Sequence, residues 1–247
     1  MLLEGKNAVI YGGGGTIGGA VARAFAREGA KVFLAGRTRE TLEAVAGDVR
    51  AAGGDAEVAV VDALDERSVD EHAGQIGRID ISFNLISLGD VQGTPLIDMD
   101  VEDFMAPVVN AVRSTFLTAR AAGRAMVRQG SGVMLLFGGS GEPLRDYSIG
   151  GLQVAYEALE AMRRQFASEL GKQGVRVVTI RTGGVIDSIP ERYEGRDELV
   201  ASLEGMTMLG RGALLEDVGN VAAFVASDKA RTMTAATANI SCGALID

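Results

Sequence analysis

Two short stretches and a few phenols hold the residue types with which this chain could do chemistry. Gly12-Gly13-Gly14-Gly15-Thr16-Ile17-Gly18 follows the apolar run Ala8-Val9-Ile10-Tyr11 and leads into Ala20-Val21-Ala22-Arg23-Ala24-Phe25. That order predicts strand, tight turn, helix. A helix opening at glycines presents unpaired backbone N–H groups and the positive end of its dipole. With no side chains in the way a pyrophosphate can approach, so Gly12, Gly14, Gly15, Thr16, Ile17 and Gly18 form the expected dinucleotide clasp. The second stretch, Gly36-Arg37-Thr38-Arg39, ends the apolar run Val32-Phe33-Leu34-Ala35. In NAD binders an acidic residue near this point accepts the ribose 2′-OH, whereas a guanidinium grips a 2′-phosphate with two hydrogen bonds. Arg37 therefore favours NADP(H) over NAD(H), with Arg39 a second candidate. A cation at a helix start opposes the dipole, and a bound anion accounts for it. Asp62, beside Ala63 at the end of Val58-Ala59-Val60-Val61, suits either of two roles: acceptor for the adenine amino group, or helix N-cap.

The elements that must position these residues alternate along the chain. Strands are predicted near 6–11, 31–35, 56–61, 79–85, 132–137, 174–181 and 236–241, and helices near 16–28, 39–52, 66–76, 101–129, 150–172, 192–205 and 215–227. Near-continuous apolar strands between helices imply an α/β chain. The expected architecture is a single-domain, doubly wound parallel sheet (Rossmann-like), about seven strands with helices on both faces, over residues 1–247. Ligands in such sheets bind beyond the carboxyl ends of the strands. A net charge of −9 argues for no nucleic acid and no anionic membrane as partner, and no apolar run approaches membrane-spanning length. No secretion signal opens the chain, and the lone cysteine, Cys242, fits a reducing cytoplasm, so a cytoplasmic protein is expected. One cysteine and one histidine cannot build a typical zinc site, so no metal is expected, and His72 sits in a polar helical stretch where solvation is expected.

Beyond these features the chain resembles the short-chain dehydrogenase/reductase family over nearly its whole length. The likeness rests on the glycine turn; on Asp80-Ile81-Ser82-Phe83-Asn84-Leu85-Ile86-Ser87, where the family usually has Asn-Asn-Ala-Gly; and on Ser114-Thr115-Phe116-Leu117-Thr118-Ala119-Arg120. Further pieces are Glu169 through Val177, Gly210-Arg211, Glu216-Asp217-Val218, Phe224 through Asp228, and Asn239 through Gly243. The resemblance implies hydride transfer between a nicotinamide and a small-molecule carbonyl or alcohol. It places Leu85, Ile86 and Ser87 over the cofactor, and Gly183 and Val185 at its far end. It also implies a homodimer or homotetramer paired through the long helices near 101–129 and 150–172, where Ala119, Ala121, Ala122, Gly123 and Ala125 allow close approach.

Members of this family usually use a tyrosine acid, a lysine four residues later, a serine thirteen before the tyrosine, and an upstream asparagine. Here the residues four beyond Tyr11, Tyr147, Tyr156 and Tyr193 are Gly15, Gly151, Glu160 and Asp197, and no lysine occurs between Lys31 and Lys172. Counting back from Gly174 places Tyr156 at the lysine position, Leu152 at the tyrosine, Gly139 at the serine, and Ala111, or Asn110 after a one-residue slip, at the asparagine. The wider enoyl-reductase spacing meets Arg163 rather than lysine. Arg163 and Arg164 are expected to face outward, and Glu157 and Glu160 to be solvated. The substitute catalytic candidates are Ser140, Tyr147 with Arg145 to lower its pKa, and Tyr156. Packing roles compete for both tyrosines. The segment 188–208, with Tyr193, Leu199, Leu203, Met206 and Met208, reads either as a substrate lid or as a helix packed on the body of the domain. Two functions remain open: an NADP(H)-dependent oxidoreductase with a rewired proton donor, and a non-redox protein on the same fold, whether a dinucleotide-binding sensor or assembly partner or a non-redox enzyme.

Overall fold

The apolar runs become strands whose side chains alternate between two cores. The computed structural model describes residues 1–139 and 147–246. Its elements are β1 (Asn7–Tyr11), α1 (Thr16–Arg27), β2 (Lys31–Gly36), α2 (Arg39–Ala51), β3 (Asp55–Val60), α3 (Glu66–Ile76) and β4 (Ile81–Asn84). There follow α4 (Val101–Gln129), β5 (Gly132–Gly138), α5 (Leu152–Leu170), β6 (Val175–Arg181), α6 (Arg196–Gly205), α7 (Leu215–Ala226) and β7 (Ala236–Asn239). The strands form one sheet in the order β3-β2-β1-β4-β5-β6-β7, and every pairing is parallel. Along β1, Ala8 and Ile10 face the core covered by α1, α2 and α7, with Phe25, Leu42 and Val218 fully buried. Val9 and Tyr11 face the opposite core under α3, α4 and α5, with Val69, Met126 and Leu159. This is the two-residue period of a strand buried on both sides. The winding reverses between β1 and β4, which opens a crevice at the carboxyl ends of those strands.

Several expectations are corrected. His72 is buried, its ring edge-on to Tyr11 with centroids 6.0 Å apart. Positions 69, 72, 73 and 76 share one helical face, so the packing of Val69 and Ala73 carries His72 inward, and burial lowers its pKa. Arg163 is also buried, 6% exposed, and forms an ion pair with Glu160 at 2.7 Å, so neither is a solvated surface charge. The last helix before α7 starts at Arg196, not near 192, because Pro190 and Tyr193 form successive turns and Gly195 adopts a positive φ of 76°.

Candidate functional site

At the crevice the glycine turn packs so closely that side chains have no room. A Cβ on Gly18 would lie 2.2 Å from the Gly12 carbonyl oxygen, and one on Gly14 would lie 2.4 Å from Thr41 Oγ1. Gly12 has φ +77°, and a Cβ there would meet the Leu85 carbonyl oxygen at 2.4 Å. The turn is held by Gly12 and Gly13 N–H groups donating to Ala35 O at 2.8 and 3.2 Å. Helix α1 has Gly15 as N-cap, no side-chain cap bond and no acidic residue in its first turn. Its first amides, at Thr16, Ile17 and Gly18, are therefore left for an outside acceptor. A cradle that a single methyl would fill, at an uncapped helix start, fits the pyrophosphate of a dinucleotide.

The crevice is a cleft of about 340 Å³. It is lined by Gly12, Gly14, Gly15, Arg37, Asp62, Ala63, Leu85, Ile86 and Ser87, all expected from the sequence, and by Tyr11, Thr38, Thr41 and Asn110 among others. Thr16, Ile17, Gly18, Gly183 and Val185 do not line it. Gly18 is buried against the turn, Val185 is buried and bridges to Ala213, and a Cβ on Gly183 would meet Ala244 at 2.8 Å. Arg37 is exposed, and no described residue pairs with it. Arg39 instead approaches Glu43 at 3.7 Å. The N-cap reading of Asp62 is corrected: Asp65 caps α3, accepting from Ser68 N at 2.6 Å. Asp62 Oδ1 accepts from Leu64 N at 2.9 Å.

Tyr147 and Tyr156 are not among the residues that line this cleft. Tyr156 is half-buried on α5 with its ring against Gly139; a Cβ on Gly139 would lie 2.6 Å from Tyr156 Cε2. Burial, with a contribution from Asp90, pushes the Tyr156 pKa up to about 12. Tyr147 is 46% exposed. Its pKa is raised, first by burial and then by Tyr193 and Asp90. Ser140 and Arg145 lie outside the described residues. Leu152 is buried, Asn84 Nδ2 donates to Ser114 Oγ at 2.8 Å, and Asn110 Nδ2 donates to Leu88 O at 2.8 Å.

A family model described as enoyl-(acyl carrier protein) reductase matches residues 14–244. The chain belongs to the short-chain dehydrogenase/reductase family. Tropinone reductase-like 1 of Erythroxylum coca is 30% identical over 236 residues, covering 92% of this chain and 86% of that one. A short-chain type dehydrogenase/reductase from Mycobacterium ulcerans superposes with TM-score 0.89 at 26% identity, over 99% of this chain and 91% of that one. A Beutenbergia cavernae protein assigned as an NAD(P)-dependent gluconate 5-dehydrogenase, solved with NADP bound at low occupancy, has TM-score 0.86 at 26% identity, over 97% and 96%.

Short-chain dehydrogenase/reductases bind NAD(P) and act on small molecules, and the non-redox reading is not favoured. No helix among the described residues is long and apolar enough to cross a membrane. A cleft-lining residue that sequence reasoning missed is Thr41, which reaches the cleft only because α2 packs against the glycine turn, its Oγ1 lying 2.4 Å from where a Cβ on Gly14 would stand. Asn110, reached only by allowing a one-residue slip, is the asparagine that meets the cleft, while Ala111 is fully buried.

Proposed function

We propose that residues 1–247 form one dinucleotide-binding domain that works as an NADP(H)-dependent oxidoreductase on a small molecule, without the tyrosine–lysine pair usual in the family. The observation that carries this reading is the pairing of an uncapped glycine turn with Arg37, which has no partner among the described residues and follows directly on Gly36 at the end of β2. The amides of Thr16, Ile17 and Gly18 hold the pyrophosphate in the space that Gly12, Gly14 and Gly15 leave open, Arg37 holds the 2′-phosphate, and Asp62 accepts from the adenine amino group. Leu85, Ile86 and Ser87 wall the nicotinamide half, with Gly183 and Val185 supporting its far end. The coenzyme, when bound, supplies or accepts hydride. A carbonyl and its alcohol are the substrate pair that the family suggests. Tyr147 and Tyr156, with Ser140 as a third candidate, serve as hydrogen-bond donors to the reacting atoms, since phenols with raised pKa values release protons reluctantly.

Titration calorimetry tests the coenzyme assignment. NADPH should bind more tightly than NADH, and Arg37→Ala should weaken NADPH about 10- to 100-fold, the worth of about 1.5–3 kcal/mol for hydrogen bonds to a charged group, with NADH little changed. Equal affinities in the native protein would overturn the role given to Arg37, and no heat with either coenzyme would overturn the whole reading.

A homodimer or homotetramer is part of the same proposal. Exposed Met105, Val109, Val112 and Phe116 line one face of α4, with Val154 on the adjoining α5, and isolated apolar faces of this kind favour self-association. Light scattering should report two or four chains, and Phe116→Arg should shift the population toward monomer. The lone Cys242 supports a cytoplasmic setting.

A further inference from the structure

Helix α4 reaches both rims of the coenzyme cleft. Asn110, which lines the cleft, donates from Nδ2 to Leu88 O at 2.8 Å, just past Ser87 on the β4 side. Three residues on, Arg113 donates from Nε to Leu64 O at 2.6 Å on the other rim, where β3 leads into α3. Leu64 lines the cleft beside Asp62 and Ala63. Positions three apart on a helix are neighbours, so one turn of α4 ties down both rims. The rim at Leu64 has little else to fix it. Asp62 N donates to Ser68 Oγ at 3.1 Å, Leu64 N to Asp62 Oδ1 at 2.9 Å, and Asp65 N to Asp62 O at 3.1 Å, all within residues 62–68. Among the described residues, Arg113 makes the only hydrogen bond that ties residues 62–64 to an element other than the strand and helix they join.

We propose that Arg113 is a positioning residue for the adenine end of the cleft, acting through Leu64 on Asp62. The inference rests on the coenzyme reading above and deepens it, by naming what holds the carboxylate that meets the base. Asp62 is exposed, and the Leu64 N–H on its Oδ1 gives its side chain a direction, while no described residue occupies Oδ2. Arg113 holds Leu64 by its carbonyl, and Leu64 holds Asp62 by its amide. A short hydrogen bond from a charged donor is the strong kind, and this one fastens the loop to a helix of 29 residues. Without it the loop is free to swing, and the carboxylate turns in water. An acceptor already in place costs less entropy on binding than one that must first be ordered. Arg113 is not among the residues that line the cleft, so it adds to affinity without touching the ligand.

The test is calorimetry on the whole chain with NADPH, NADH and the hypoxanthine analogue of NADPH, in which an oxo group replaces the amino group of the base. The native protein should bind NADPH more tightly than the analogue; no preference would remove the contact through which Arg113 acts and overturn the proposal. Arg113→Met keeps an apolar stem and loses the donor. It should weaken NADPH about three- to tenfold and the analogue by less than about twofold. NADH should weaken by the same factor as NADPH, because both carry adenine, and a loss confined to NADPH would move Arg113 to the 2′-phosphate and overturn the assignment. Equal losses for NADPH and its analogue would mean a general loosening of the cleft and overturn it too, as would a methionine variant that binds NADPH as well as the parent. In each of these cases the coenzyme reading stands. If the native protein binds neither coenzyme, both fall together.

Discussion

Replacing Arg163 with methionine should cost about 3–5 kcal/mol of folding stability, because it leaves a carboxylate inside the protein without its charge partner. Arg163 Nε and Nη2 both donate to Glu160 Oε2, at 3.0 and 2.7 Å, on the face of α5 that meets β7, where Thr237 Oγ1 stands 3.5 Å from the same oxygen. Side-chain exposures of 8% and 18% give water little chance to take over. Burial alone would push the Glu160 carboxyl up, but the hydrogen bonds and charge of Arg163, helped by Thr179 and the charge of Arg164, outweigh it and hold the group below its usual value. A depressed carboxyl contributes stability above its unfolded pKa, and that contribution fades as pH falls through the folded value. In the methionine variant burial acts with far less opposition and the sign reverses. Stability should then decline as pH rises from the ordinary carboxylate range toward neutrality. Urea unfolding at pH 4.5 and pH 7.5 reads this out: the deficit should be larger at the higher pH. Converting both partners, Glu160→Leu with Arg163→Met, should recover most of the loss, as paired apolar replacements commonly do. An Arg163→Met variant as stable as the parent at pH 7.5 would show that the pair is solvated after all.

Gly139→Ser should destabilise the protein by about 1–3 kcal/mol, and the loss should shrink when Tyr156 is also replaced. The serine Cβ has nowhere to go: the Tyr156 ring lies 2.6 Å from where it would stand, and Tyr156 is packed against the α4–α5 core. Tyr156→Ala removes the obstacle, so the two substitutions should be non-additive by about 1 kcal/mol or more in a double-mutant cycle. Additive effects would mean that the ring moves aside at no cost. The result bears on chemistry as well as packing. Residue 139 cannot carry a hydroxyl into the cleft while residue 156 is a tyrosine, so the two positions are linked through shared space.

Much of the fold was readable from residue order. The strands are apolar, nearly continuous and separated by helical periods, so their places follow from hydrophobicity alone, and the glycines after β1 follow from the close approach they allow. The misread residues fail for one physical reason. His72 and Arg163 are polar types at positions whose helical spacing, beside Val69 and Ala73 and beside Leu159 and Ala167, points inward. Periodicity outweighed residue type, and only the folded chain shows that Glu160 offsets the buried guanidinium. The loop after β4 was not legible for a different reason: Leu88 and Gly93 are held by Asn110 and Ser148, distant in sequence. The distinction between Arg37 and Arg39 likewise needed Glu43, which engages only the second.

The seam between β1 and β4 has an evolutionary consequence. Gly12 and Leu85 meet there, backbone against backbone, with the Leu85 N–H donating to Tyr11 O at 2.8 Å. Everything that would grip the adenosine side hangs from β1, β2 and β3, while the catalytic candidates Tyr147 and Tyr156 hang from the chain after β5. The cores on either face are shared by side chains of both halves, but at this seam main chain meets main chain, so changes at the reacting end that leave the seam intact should spare the grip on the coenzyme. Such modularity makes this scaffold a tolerant host for new reactions, provided that residue 12 stays glycine.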